Sequence, residues 1–196
     1  MKTIRIAGAA FVLLALPGFA EAHPDPAHAV GLVHGFMHPL TGIDHILAMV
    51  AVGLLAVHMG GRALWALPLA FLGMMAVGGA LGVAGIAIPH VEIGITLSVI
   101  VLGAAVALRL QWPLAAAMGL VGLFAIFHGH AHGAEMPETA SGLAYAAGFL
   151  VATASLHAAG IALGYVIGAQ ASAARLMRAA GVAMGLVGIV LLSGAI

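Results

Sequence analysis

Apolar residues run through this chain in long blocks, and the polar positions that interrupt them recur at similar intervals. Six apolar stretches lie at roughly 28–59, 63–88, 91–109, 113–131, 141–168 and 174–195, each near or beyond the ~20 residues that carry a helix across a hydrocarbon core. Turn-forming or charged clusters separate them: Gly60-Gly61-Arg62, Pro89-His90, Gln111-Trp112-Pro113, Met136-Pro137-Glu138 and Ser172 to Arg175. The pattern predicts an all-α membrane protein, a bundle of about six transmembrane helices. The first stretch is longer than a bilayer requires and contains Pro39 and Gly42. Proline removes a helix donor and glycine weakens the helix. A short first half to about Met37, an irregular stretch from His38 to Thr41 and a helix from Gly42 are therefore expected. Broken helices are how membrane proteins expose ligands and backbone carbonyls to an ion.

Ahead of the first stretch, Lys2 and Arg5 precede the short apolar run Ile6 to Leu16, and Ala20-Glu21-Ala22 follows. This is the pattern of a cleavable secretory leader, which divides the chain into a signal peptide, 1–22, and a membrane domain, 23–196. A free amine beside the imidazole of His23 is then able to chelate a metal; a plain exposed terminus is the other reading.

Charge fixes the expected orientation. After the leader the cations are Arg62, Arg109, Arg175 and Arg178, which follow the first, third and fifth stretches. Asp25, Asp44, Glu92, Glu135 and Glu138 fall toward the other side. Arginines collect on the cytoplasmic side, so both termini are expected outside. An odd number of spans would scramble this separation.

Composition sharpens the picture. Only 6% of residues are charged and 64% are hydrophobic, and an acid or base at the centre of a membrane helix costs about 3 kcal/mol on insertion scales. Every ionisable group is thus a functional candidate. The chain holds 11 histidines and no cysteine, which excludes disulfides, thiolate sites and iron–sulfur clusters. Nucleotide-binding loops and basic nucleic-acid patches are absent.

The histidines concentrate in two clusters. In the first, His38, Asp44 and His45 flank the predicted break, with His34 one turn before His38. Imidazole and carboxylate together suit borderline divalent ions. Thr41 and Asp44 also have capping-box spacing, so Asp44 is a candidate helix-start acceptor. In the second, His128, His132 and Glu135 follow i, i+4, i+7 and share a helix face, with His130 turned elsewhere. Gly129 and Gly133 invite a close backbone neighbour. The H-E-x-x-H pattern of zinc proteases is not present. His157, in the middle of the fifth stretch, reads either as a core histidine bonded to a neighbouring helix or as a ligand on a transport path. His58 closes the first stretch at its cytoplasmic end. Gly160, Gly164 and Gly168, and Gly181 with Gly185, recur every four residues and predict tight helix contacts within the bundle or between copies.

His38-Pro39-Leu-Thr-Gly42-Ile-Asp44-His45-Ile-Leu-Ala-Met49 and Phe127-His128-Gly-His-Ala-His132-Gly-Ala-Glu135 resemble the two signature motifs of the HupE/UreJ family, and the resemblance extends over nearly the whole chain. It implies a multi-pass permease of the bacterial inner membrane that takes up Ni2+ or Co2+ for hydrogenase or urease maturation. It also implies His38, Asp44, His45, His128, His132 and Glu135 as the metal-handling residues, with no prosthetic group. Neutral imidazoles bind metal, so uptake is expected to fall below about pH 6. A divalent ion moving through 100 mV gains roughly 2 × 2.3 kcal/mol, enough to drive accumulation without a nucleotide. The competing class is a membrane metalloenzyme whose His, Asp and Glu residues hold a metal with an open coordination position.

Overall fold

A computed structural model describes residues 26–136 and 141–194. The expected leader, His23, Asp25 and Glu138 lie outside the described residues. The described chain folds into helix α1 (Pro26–Met37), a 3-10 turn (His38–Leu40), α2 (Ile43–Met59), α3 (Ala63–Val83), α4 (Val91–Ala107), α5 (Leu114–Ala134), α6 (Gly142–Gly168) and α7 (Ala173–Leu192). No strand occurs among the described residues. Helices α3, α5, α6 and α7 are long and apolar enough to cross a membrane, and α1 with α2 forms a fifth candidate bent by 79°. The last apolar stretch, α4, has 17 residues, about 26 Å of helix against a core of ~30 Å. The chain is a multi-pass membrane protein.

The predicted break is present, and its cause is local. Pro39 lies in the 3-10 turn, and Gly42 adopts an extended conformation (φ −93°, ψ 119°) immediately before α2. At the other end of α2, Gly60 and Gly61 both take positive φ (67° and 51°). That conformation is open to glycine at little cost, so the chain reverses within three residues into α3.

Backbone contact through glycine assembles the bundle. A Cβ on Gly129 would fall onto the Met75 carbonyl and one on Gly133 onto the Gly79 carbonyl, so α3 and α5 run side by side in the same direction. Gly53 and Gly160 hold α2 against α6 in the same way, and Gly35 and Gly148 hold α1 against the first turns of α6. One continuous helix thus splints both halves of the broken one. One expectation needs correction: Gly168 looks onto open space. Gly181 and Gly185 do meet α4: a Cβ on Gly103 would fall onto the Gly181 carbonyl and the Gly185 nitrogen, and Gly188 continues the contact beside Ile100.

Candidate metal centre

The two histidine clusters meet at one end of the bundle, although α2 and α5 themselves pack mainly on other helices. His45 is the third residue of α2, and His128 and His132 lie in the last two turns of α5. Their rings fill the space between the helices. The His45 ring centroid is 4.4 Å from that of His132 and 4.6 Å from that of His128, and His38 is 4.9 Å from His132. His132 also stacks on Phe149 of α6 at 5.4 Å. His45, His128 and His132 are buried, whereas His38 is partly exposed.

Hydrogen bonds to His38, His45 and His128 favour one tautomer of each ring. Ser98 of α4 donates its single hydrogen to the Ile95 carbonyl at 2.5 Å, so at 2.8 Å it accepts from His128 Nε2–H. The lone pair of His128 is then on Nδ1, which is buried and without a partner. Asp44 Oδ1 accepts from His45 Nδ1 at 2.9 Å and from the His45 backbone N–H at 2.6 Å. That leaves the buried His45 Nε2 as the free lone pair. Glu135 Oε2 accepts from His38 Nε2 at 2.9 Å. His132 has no hydrogen-bond partner on either ring nitrogen. Carboxylate- or hydroxyl-anchored imidazoles with the opposite nitrogen free are the arrangement in which histidine ligates metals.

A cavity of about 180 Å³ opens beside these rings, lined by His38, Thr41, Gly42, Asp44, His45, Glu92, Ile95, Ala131, His132 and Glu135. Of three larger spaces, two grooves of about 450 and 550 Å³ have almost wholly apolar walls and no acid, base or histidine, and one of about 220 Å³ holds Arg62 and Gln111 but no carboxylate or imidazole. The small one is therefore the chemically competent space. Three carboxylates face it: Asp44, Glu135 and Glu92. Among the described residues no three His, Asp or Glu side chains already surround one point as a finished coordination sphere. The rings are neighbours with free lone pairs, and a common ion would require side-chain rotations.

The capping-box reading of Thr41 needs revision. Gly42 occupies the N-cap position without a side-chain bond, and Thr41 Oγ1 donates to the His38 carbonyl at 2.7 Å. Asp44 does satisfy a free helix-start donor, that of His45, but from inside the first turn. His130 points away from the cluster and donates from Nε2 to the Ile86 carbonyl at 2.7 Å. His34 is exposed, its ring 6.3 Å from Tyr145. His157 is buried deeper in the bundle, apart from the four-ring cluster. His58 sits at the opposite end, where Gln111 Nε2 donates to its carbonyl at 3.1 Å. Ser98 has no sequence signal, since an isolated serine carries no motif; Glu92, which charge puts on the same side as the clusters, lines the cavity although it belongs to neither cluster.

The profile described as "HupE / UreJ protein" matches residues 11–191. The chain belongs to the HupE/UreJ family. It is similar to the protein named "Protein HupE" of Rhizobium leguminosarum bv. viciae, with 48% identity over 181 residues that cover 92% of this chain and 94% of that protein. No solved structure matches it. The fold described above gives the two histidine clusters one shared location.

Proposed function

We propose that this HupE/UreJ protein is a secondary permease that carries Ni2+, Co2+ or both from the periplasm to the cytoplasm of a bacterium. One observation carries the reading. The free nitrogens of His45, His128 and His132 are buried side by side, behind a mouth that bears Asp44, Glu92 and Glu135. A buried unpaired polar group costs about 1–3 kcal/mol, and a cluster of four such atoms is hard to account for by packing alone. A divalent cation relieves that cost.

The reading includes a topology. Counting α4 as a short sixth span puts Arg62, Arg109, Arg175 and Arg178 on the cytoplasmic side and both family motifs outside. In this orientation the protein lies in the inner membrane behind a cleaved leader. The carboxylates at the mouth draw the hydrated ion in and replace part of its water shell. His38 releases Glu135, and the imidazoles of α2 and α5 then take over as ligands. Membrane potential supplies the driving force, and the metal serves hydrogenase or urease assembly in the cell. The ion is cargo, so no prosthetic group and no catalysis are involved. A glycine-bearing helix face such as that of Gly168, which looks onto open space, suits contact with a second copy.

Uptake of radiolabelled nickel and cobalt into cells expressing the parent, His38→Ala, Asp44→Ala and His132→Ala tests the proposal. Each variant should lose at least about tenfold in initial rate, the usual scale for a lost ligand or its anchor. Parent-like uptake in all three would refute it. Metal-dependent turnover of a lipid without metal flux would favour the metalloenzyme class instead.

A further inference from the structure

Below the four-ring cluster lies a second set of donor side chains that the account so far leaves unused. Helix α6 carries Thr153 and His157 four residues apart, so both fall on one face, and both are fully buried. Helix α3 carries Phe71 and Met75 at the same spacing, also fully buried. The two pairs face each other: Thr153 Oγ1 lies 3.7 Å from Met75 Sδ, and the Phe71 ring meets His157 edge-on at 5.2 Å and 83°. The same Phe71 ring also adjoins His128, at 5.6 Å and 55°, so it touches both imidazoles. A core histidine retained for structure would bond to a neighbouring helix. Neither nitrogen of His157 has a partner. His157 is also near the middle of the 27-residue α6, eight residues and about 12 Å beyond Phe149, which stacks on His132.

We propose that His157, with the Thr153 hydroxyl and the Met75 thioether beside it, forms a second, deeper metal station, and that the Phe71 ring is the partition an ion crosses between His128 and this station. The inference rests on the transport reading and extends it. Nitrogen, oxygen and sulfur donors together suit a borderline ion such as Ni2+ or Co2+ better than a hard one such as Mg2+. The Phe71 ring touches both imidazoles, so its rotation would join or separate the two stations. An ion moving inward exchanges the His128 nitrogen for that of His157 as the Phe71 ring turns aside.

The full chain reconstituted in liposomes supplies the test, with Ni2+ flux and equilibrium Co2+ binding, read by visible absorption, measured on the same preparations. In His157→Leu, flux should drop at least about tenfold while Co2+ binding at the upper cluster stays within about twofold. His157→Gln, which keeps a donor there, should recover part of the flux. Phe71→Trp, with a larger ring in the partition, should bind Co2+ like the parent and move Ni2+ poorly. Parent-like flux in both His157→Leu and Phe71→Trp would overturn the deeper station and leave the transport reading intact. So would equal loss of binding and flux in His157→Leu and His157→Gln, which is the behaviour of a purely structural residue. A parent that neither binds Co2+ nor moves Ni2+ would instead overturn the transport reading and this inference with it.

Discussion

Ser98 has one hydrogen to give, and the Ile95 carbonyl takes it, so the protonation of His128 is decided by a residue that lies outside both motifs. Without that hydroxyl, Nε2 and Nδ1 of His128 compete for the proton and the ring loses its anchor. Ser98→Ala should weaken Co2+ binding about 10-fold or more, the range seen when the partner of a ligating histidine is removed, and Ser98→Thr should largely retain it. Titration of purified protein with Co2+ measures both. Gly42 offers a second check at this scale. A Cβ there would stand 2.7 Å from Asp44 Oδ1 and 3.1 Å from His45 Nδ1, so Gly42→Ala should disturb the Asp44–His45 pair and lower metal affinity without unfolding the bundle. Sequence made the six motif residues legible because imidazoles and carboxylates are conspicuous in an apolar chain. It could not reveal Ser98, whose role depends on α4 crossing beside α5.

Among the elements, the broken helix was readable and the helix packing only partly so. Pro39 and Gly42 announce the break because each removes something a helix needs, a donor or a side chain that stiffens the backbone. The glycine repeats announce close contacts but not their partners, since a repeat says nothing about which helix arrives. That α3 lies against Gly129 and Gly133 places Phe71 and Met75 beneath the imidazoles, and no local signal contains that information. The contacts predict a sharp contrast. Gly129→Ala and Gly133→Ala force a methyl group onto the carbonyls of Met75 and Gly79, so each should destabilise the detergent-solubilised protein by about 1–3 kcal/mol or more. Gly73→Ala and Gly119→Ala point into open space and should be neutral or stabilising by up to about 1 kcal/mol, the helix-propensity gain over glycine. Thermal unfolding followed by circular dichroism separates the two classes.

For the whole molecule, segregation of charge is the organising feature. The Arg62 turn and the segment that joins α4 to α5 share one end of the bundle, joined by the Gln111–His58 contact, and His38, Asp44, Glu92 and Glu135 share the other. Reporter fusions after Gly60 and Trp112 should be active only in the cytoplasm, and fusions after Pro89 and at Ile196 only in the periplasm. The opposite pattern at any of these sites would contradict the six-span count. The coordination chemistry is tested most directly by X-ray absorption at the nickel edge of the purified, Ni2+-loaded full chain. The account predicts a nitrogen and oxygen shell with the outer-sphere scattering of at least two imidazoles, diminished in His45→Ala and in His132→Ala. A nickel ion surrounded by oxygen alone, or an imidazole signal unchanged in both variants, would contradict it.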